Sequence, residues 1–171
     1  LAKRDGFMYQ DYDGYAGVIC YGDGEESVGV LAHLDIVPIG EGWSKDPFGG
    51  EIVDDYLFGR GSEDDKGPAM AAYYAMKMLK DQGIQLQRKV MLILGCDEES
   101  GMQCMEHYKK HGEIPTLGFT PDADFPVIYG EKGGLHVDLL GEIDNSVIEE
   151  IHAGEALNIV IGKADMQVHN W

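Results

Sequence analysis

The chain has 171 residues, of which 31 are acidic and 13 are lysine or arginine, giving a formal net charge of −18. Such an acidic surface disfavours nucleic acid or an anionic membrane as a partner. Hydrophobic residues make up 44% of the sequence, but no apolar run approaches the roughly 20 residues needed to span a bilayer. The composition therefore indicates a globular protein that binds neither nucleic acid nor a membrane.

The three cysteines, Cys20, Cys96 and Cys104, form no C-x-x-C pair. Their odd number and their spacing predict reduced thiols rather than a disulfide framework or a cysteine zinc site. We therefore expect a cytoplasmic protein. The first residue is Leu1 and not Met, so we also expect the natural start of the protein to precede it.

Strand and helix patterns alternate along the first part of the chain. The segment 26–33 (ESVGVLAH) predicts a short buried strand, and 51–59 (EIVDDYLFG) predicts a strand with a turn inside it. From Gly67 the apolar residues recur at helical spacing. Pro68 suits the first turn of this helix and Gly83 ends it.

The alternation continues with the run 88–96 (RKVMLILGC), which predicts a strongly buried strand. Ser100 and Gln103 then form a capping-box pattern, which predicts a helix that ends at Gly112. The segment 116–126 (TLGFTPDADFP) predicts a short strand and a turn. This order of elements predicts an α/β fold with a largely parallel mixed sheet flanked by helices.

After Asp124 the pattern changes to short strands, predicted at 126–131, 134–143 and 155–162. We therefore predict two domains, 1–132 and 133–171, of which the second is the beginning of an α+β domain. We expect the chain to stop within that second domain.

Four segments that contain acids or histidine lie at the ends of predicted strands or in adjoining turns: HLD (33–35), SEDDKG (62–67), DEES (97–100) and PDAD (121–124). Each alone is more often a core histidine, a helix cap or a turn. In open α/β sheets, however, functional sites lie just beyond the carboxyl ends of the strands. If all four segments meet at that edge of the sheet, they would form one site.

One histidine among several carboxylates suits zinc, with manganese or cobalt as possible substitutes. Calcium prefers oxygen ligands throughout, so His33 argues against it. Two metal ions a few ångströms apart would share a carboxylate as a bridge. One of the adjacent residues Glu98 and Glu99 would then remain free to transfer protons.

The motifs HLDIVPIGEGW (33–43), GRGSEDDKGP (59–68), DEESG (97–101) and TPDADFP (120–126) resemble those of the co-catalytic zinc peptidases of the acetylornithine deacetylase, aminoacylase and carnosinase superfamily. Two later motifs, GEKG (130–133) and GEALNIV (154–160), are similar to those of the bacterial PepV-type dipeptidases. The resemblance implies a zinc exopeptidase-like catalytic domain, followed by the start of a lid domain.

The resemblance also implies a set of metal ligands. His33 and Asp122 would bind one zinc ion, Glu99 would bind a second, and Asp64 would bridge the two. The family has a further metal-binding histidine late in its sequence, which we expect to lie beyond Trp171. The 171-residue chain alone is therefore expected to be inactive.

The resemblance assigns the chemistry to Glu98, the general base for a metal-activated water that hydrolyses the peptide bond of a dipeptide. Asp35 would orient His33 through its second ring nitrogen, and the peptide bond between Asp64 and Asp65 would be cis. Asp97 would have only a local role. An N-acyl amino acid deacylase of the same superfamily, or an inactive metal-binding fragment, remains an alternative.

Overall fold

The structure, a computed structural model, describes residues 1–124, 126–141, 147–154 and 160–169. The chain separates into two compact units, Leu1–Val127 and Ile128–Trp171. No helix in the described ranges is both long and apolar enough to cross a membrane. The division into a catalytic domain at 1–132 and a lid domain at 133–171 remains a prediction.

The described residues of the first unit form seven strands. In chain order they are β1 (Met8–Tyr12), β2 (Ala16–Tyr21), β3 (Ser27–His33), β4 (Glu51–Val53), β5 (Tyr56–Phe58), β6 (Lys89–Gly95) and β7 (Leu117–Phe119). Five of them form a sheet of order β1-β2-β6-β3-β7, while β4 and β5 form a separate antiparallel pair. Strand β3 runs parallel to β6 and β7, whereas β2 is antiparallel to both β1 and β6. The predicted α/β fold with a mixed sheet is confirmed.

The central strand β6 is apolar after Lys89 because helices cover both faces of the sheet. On one face, Leu92 packs in a cluster with Tyr73 and Met76 of helix α1 (Lys66–Asp81). On the other face, Met91 and Ile93 pack in a cluster with Tyr108 of helix α2 (Gln103–His111). These alternating side chains fix the register of β6 and place its carboxyl end against that of β3.

Helix α1 lies where the sequence predicts it, and Gly83 follows it with a φ of +68°. The capping box predicted for α2 is wrong. The backbone N–H of Gln103 donates to the Asp97 carboxylate and not to the hydroxyl of Ser100, which itself donates to Asp97. Met102 has a φ of 55°, in the left-handed region, and helix α2 begins after it at Gln103. This start lies too far along the chain for Ser100 to cap the helix.

The second unit contains β8 (Ile148–Ala153) and β9 (Ala164–Val168), which pair antiparallel. The strands predicted at 126–131 and 134–143 are wrong within the ranges that the structure describes, since none is present there. Leu139 and Leu140 are 92% and 97% exposed, so these two apolar residues are not packed against other described residues. Residues 142–146 and 155–159, and with them most of the GEALNIV motif, lie outside the described residues.

Candidate active site

The carboxyl ends of the parallel strands bring distant parts of the chain together. Strand β3 ends at His33, β6 ends two residues before Asp97, and β7 ends three residues before Asp122. Because β3 is parallel to both β6 and β7, these three ends lie at one edge of the sheet. Asp64 joins them from the turn that leads into α1.

The imidazole of His33 lies at the centre of this site, with only 3% of its side chain exposed. Its Nε2 atom is 2.9 Å from Oδ1 of Asp64 and 3.5 Å from Oδ2 of Asp122. Oε2 of Glu98 lies 4.0 Å from the same nitrogen. Carboxylates from three separate segments therefore face one ring nitrogen.

Asp35 connects the end of β3 to the acidic turn after β6. Its two carboxylate oxygens accept hydrogen bonds from the backbone N–H groups of Glu98 and Glu99, each at 3.1 Å. Oδ1 of Asp35 also lies 3.2 Å from Nδ1 of His33, but the pair lacks the geometry of a hydrogen bond. One carboxylate thus positions both glutamates and lies beside the histidine.

Asp97, the first acid of the turn, faces away from this cluster. Its carboxylate accepts hydrogen bonds from the hydroxyl of Ser100 and, at 2.9 Å, from the backbone N–H of Gln103. Its contacts are with the start of α2.

Among the residues that the structure describes, two overlapping groups of donor atoms are close enough to hold a cation. His33, Asp64 and Asp122 form the first, and His33, Glu98 and Glu99 form the second. In each group every donor atom lies within 4.8 Å of the others. Without a cation such close carboxylates repel one another, so this convergence favours a metal centre.

The ionisation of His33 reflects the surrounding carboxylates. Burial by itself lowers its pKa, but the hydrogen bond to Asp64 and the charges of Asp35, Asp122 and Glu98 outweigh burial and raise the pKa. The ring is therefore held in a strongly negative environment.

Both glutamates of the acidic turn have a pKa above the usual value for the residue. For Glu98 the main cause is burial, and the charges of Asp122 and Glu99 add to it. For Glu99 burial is again the main cause, followed by the charge of Asp64. A raised carboxyl pKa is a common property of groups that transfer protons in active sites.

Asp65 belongs to the predicted segment SEDDKG but was given no role of its own, and it is also part of the site. Its side chain is completely buried, and Oδ2 accepts a hydrogen bond of 3.0 Å from the backbone N–H of His33. The peptide bond between Asp64 and Asp65 is cis, as the resemblance implied. An aspartate directly before a helix usually caps that helix, so the sequence pattern gave no indication that Asp65 would contact His33.

The fold and the site define an α/β protein with a candidate metal centre at the carboxyl edge of its sheet. The model of Peptidase family M20/M25/M40 matches residues 29–159, and the chain belongs to this family. The match includes every residue of the cluster described above, from His33 to Asp122.

Curated relatives agree with this assignment. The putative dipeptidase YtjP of Bacillus subtilis (strain 168) is 51% identical over 140 residues, which cover 82% of this chain and 30% of the relative. A putative dipeptidase of Staphylococcus haemolyticus is 48% identical over 150 residues, 88% of this chain and 31% of the relative. The chain therefore spans about a third of the length of these relatives.

Two solved structures have the same fold. Human carnosine dipeptidase 1 matches with a TM-score of 0.60 at 22% identity, covering 71% of this chain and 30% of that protein. The M20 family metallo-carboxypeptidase Sso-CP2 from Sulfolobus solfataricus matches with a TM-score of 0.59 at 20% identity, covering 70% of this chain and 29% of that protein.

Proposed function

We propose that this chain supplies the metal centre and the general base of a zinc-dependent dipeptidase. The observation that carries the proposal is the convergence of His33, Asp64, Asp122, Glu98 and Glu99 at one edge of the sheet. The relatives named as putative dipeptidases support dipeptides as the substrate class.

The donor set fits one divalent ion and supplies two of the ligands of a second. His33 and Asp122 would bind the first ion, Asp64 would bridge, and Glu99 would bind the second. The distances of 2.9 and 3.5 Å from Nε2 of His33 to Asp64 and Asp122 support the first set. An imidazole with carboxylates suits zinc, with manganese or cobalt as substitutes. When bound, such ions polarise the scissile carbonyl and lower the pKa of water to about 7.

Glu98 is the proton carrier in this proposal. It takes a proton from the attacking water and then delivers it to the nitrogen of the leaving amine. Its Oε2 atom faces the same edge of His33 as the proposed ligands, and burial raises its pKa above the usual value for glutamate. Asp35 holds its backbone in place through the N–H of Glu98.

The three cysteines support a cytoplasmic location for this activity. Cys20, Cys96 and Cys104 are all free thiols in the structure, as expected of a protein in a reducing compartment.

The test uses a chimera, because the chain spans 30% of the B. subtilis relative. The matching residues of this chain replace those of that relative, and the chimera is assayed on dipeptides and on N-acyl amino acids. We expect dipeptide hydrolysis that stops when a chelator removes the metal and returns when zinc is added. Metal-dependent cleavage of N-acyl amino acids alone would identify a deacylase instead. A chimera that folds and binds zinc but cleaves neither substrate would contradict the proposal.

A further inference from the structure

The buried carboxylate of Asp65 has no role in the proposed mechanism. The side chain of Asp65 is 0% exposed, although burial of a charged group is costly unless it is well paired. Asp65 is the residue before helix α1, yet its side chain makes no capping hydrogen bond to that helix. Its position therefore has to be explained by its other contacts.

The end of β3 provides the explanation. Strand β7 pairs with β3 only as far as Val30, which lies opposite Phe119. The N–H of Leu34 bonds to the carbonyl of Gly95 in β6, so the N–H of His33 points to the opposite side, where β7 has already ended. Oδ2 of Asp65 accepts that N–H at 3.0 Å.

This contact joins two of the proposed metal ligands. Asp65 is bonded covalently to Asp64 and hydrogen-bonded to the backbone of His33. The side chains of His33 and Asp64 also lie close together, with Nε2 of His33 2.9 Å from Oδ1 of Asp64. Movement of the Asp65 carboxylate would therefore change the distance between the two ligands.

We propose that Asp65 is a positioning residue that sets the spacing of His33 and Asp64 for metal binding by holding the N–H of His33 where β7 no longer pairs. This inference rests on the proposed function, since it takes these two residues to be metal ligands. Outer contacts of this kind typically change metal affinity by about 10- to 100-fold when they are removed.

The test compares zinc affinity, measured by competition with a chelating indicator, in the protein and its variants. We expect Asp65→Ala to bind zinc about 10- to 100-fold more weakly. Asp65→Asn keeps an oxygen acceptor for the N–H of His33 and should stay within about threefold of the wild-type affinity. Met76→Ala removes a buried side chain from the same helix, α1, and serves as a control for destabilisation without loss of this contact.

Hydrogen exchange of the His33 amide in the zinc-free protein gives a second measurement that does not depend on metal. We expect protection in the wild type and in Asp65→Asn, and its loss in Asp65→Ala. If Asp65→Ala does not fold, Asp65→Leu replaces it, because leucine fills the space without offering an acceptor.

Equal zinc affinity in the wild type and in a folded Asp65→Ala or Asp65→Leu would overturn the inference and leave the proposed function intact. Equal weakening in Asp65→Asn, Asp65→Ala and Met76→Ala would also overturn it, because general destabilisation would then explain the loss. If neither replacement folds while Met76→Ala does, Asp65 is required for folding and the positioning role is rejected. A wild-type protein with no zinc affinity would instead refute the proposed function, and the inference with it.

Discussion

Glu98 and Glu99 are neighbours in the chain with similar surroundings, but their contacts favour different tasks. Oε2 of Glu98 lies 4.0 Å from Nε2 of His33, and 39% of its side chain is exposed, so water and substrate can reach it. The charge of Asp64, the proposed bridging ligand, raises the pKa of Glu99. A cation between Glu99 and Asp64 would remove this repulsion, which supports Glu99 as the ligand and Glu98 as the base.

We expect Glu98→Gln in the chimera to keep its zinc and to lose activity by about 10²- to 10⁴-fold, the usual contribution of general acid–base catalysis. Glutamine has nearly the same shape but cannot take a proton from water. Bound zinc and dipeptide turnover are measured on the same sample. Glu99→Gln is the matched control and should lose zinc as well as activity. Loss of zinc in Glu98→Gln with an active Glu99→Gln would reverse the two roles.

The grouping of most candidate site residues could be predicted because each lies at or near a recognisable strand end or turn. His33 follows a buried apolar run, and the acidic turn that contains Glu98 follows another. The contact of Asp65 with His33 could not be predicted in this way. The proposed role of Asp65 depends on where β7 stops relative to β3, and that pairing joins residues about 90 positions apart.

At the scale of single elements, buried strands were the easiest to predict. Strands β3 and β6 are apolar on both faces because helices cover both sides of the sheet. The strands β1 and β2 were not predicted, since the exposed residues of β1 hide its pattern. The dipeptide Asp13–Gly14 was a usable signal, because both residues have positive φ, 55° and 74°, as a tight hairpin turn requires.

The start of helix α2 depends on Asp97 instead of on Ser100. Asp97→Ala should lower the free energy of unfolding by about 0.5–2 kcal/mol, because it leaves the N–H of Gln103 without its acceptor. Ser100→Ala should have the smaller effect, since the Ser100 hydroxyl donates to the Asp97 carboxylate and the N–H of Gln103 keeps its bond to Asp97. Urea unfolding of the two variants and the wild type measures this difference. A larger loss in Ser100→Ala would restore the capping box.

Helix α1 is joined to the N-terminal segment by a buried phenol. The hydroxyl of Tyr73 donates to Asp5. Burial and this hydrogen bond raise the pKa of Tyr73 to about 12, from an ordinary value of about 10. The folded state therefore favours the protonated phenol. Its contribution to stability is fully present below pH 10 and is lost as the pH rises from about 10 through 12.

We expect the wild type to lose stability between pH 9 and about 11.5, and Tyr73→Phe to lose less over the same interval, because phenylalanine has no proton to release. Urea unfolding at the two pH values gives both differences. Tyr74→Phe, at a neighbouring position that is 50% exposed, controls for the ionisation of other tyrosines. Parallel losses in all three proteins would exclude Tyr73 as the source.

For the whole molecule, the proposed centre needs residues from His33 to Asp122, all of which lie within the unit Leu1–Val127. The pairing of β6 with β3 and of β3 with β7 brings these residues together, because it aligns the strand ends. The sequence predicted this edge from the acidic and histidine-containing segments that follow the predicted strands. It did not predict β8 and β9 of the second unit, where exposed apolar residues give no clear alternation.

We expect the 171-residue chain by itself to bind about one zinc ion tightly and not to hydrolyse dipeptides. The first position takes three donors from this chain, namely His33, Asp64 and Asp122. The second takes only the bridge and Glu99 if Glu98 is reserved for proton transfer, whereas a catalytic zinc usually has three protein ligands. Metal analysis after dialysis, combined with a dipeptide assay, tests this, and Asp122→Asn should abolish the tight binding. Two tightly bound zinc ions with sustained turnover would show that the chain is a complete enzyme by itself.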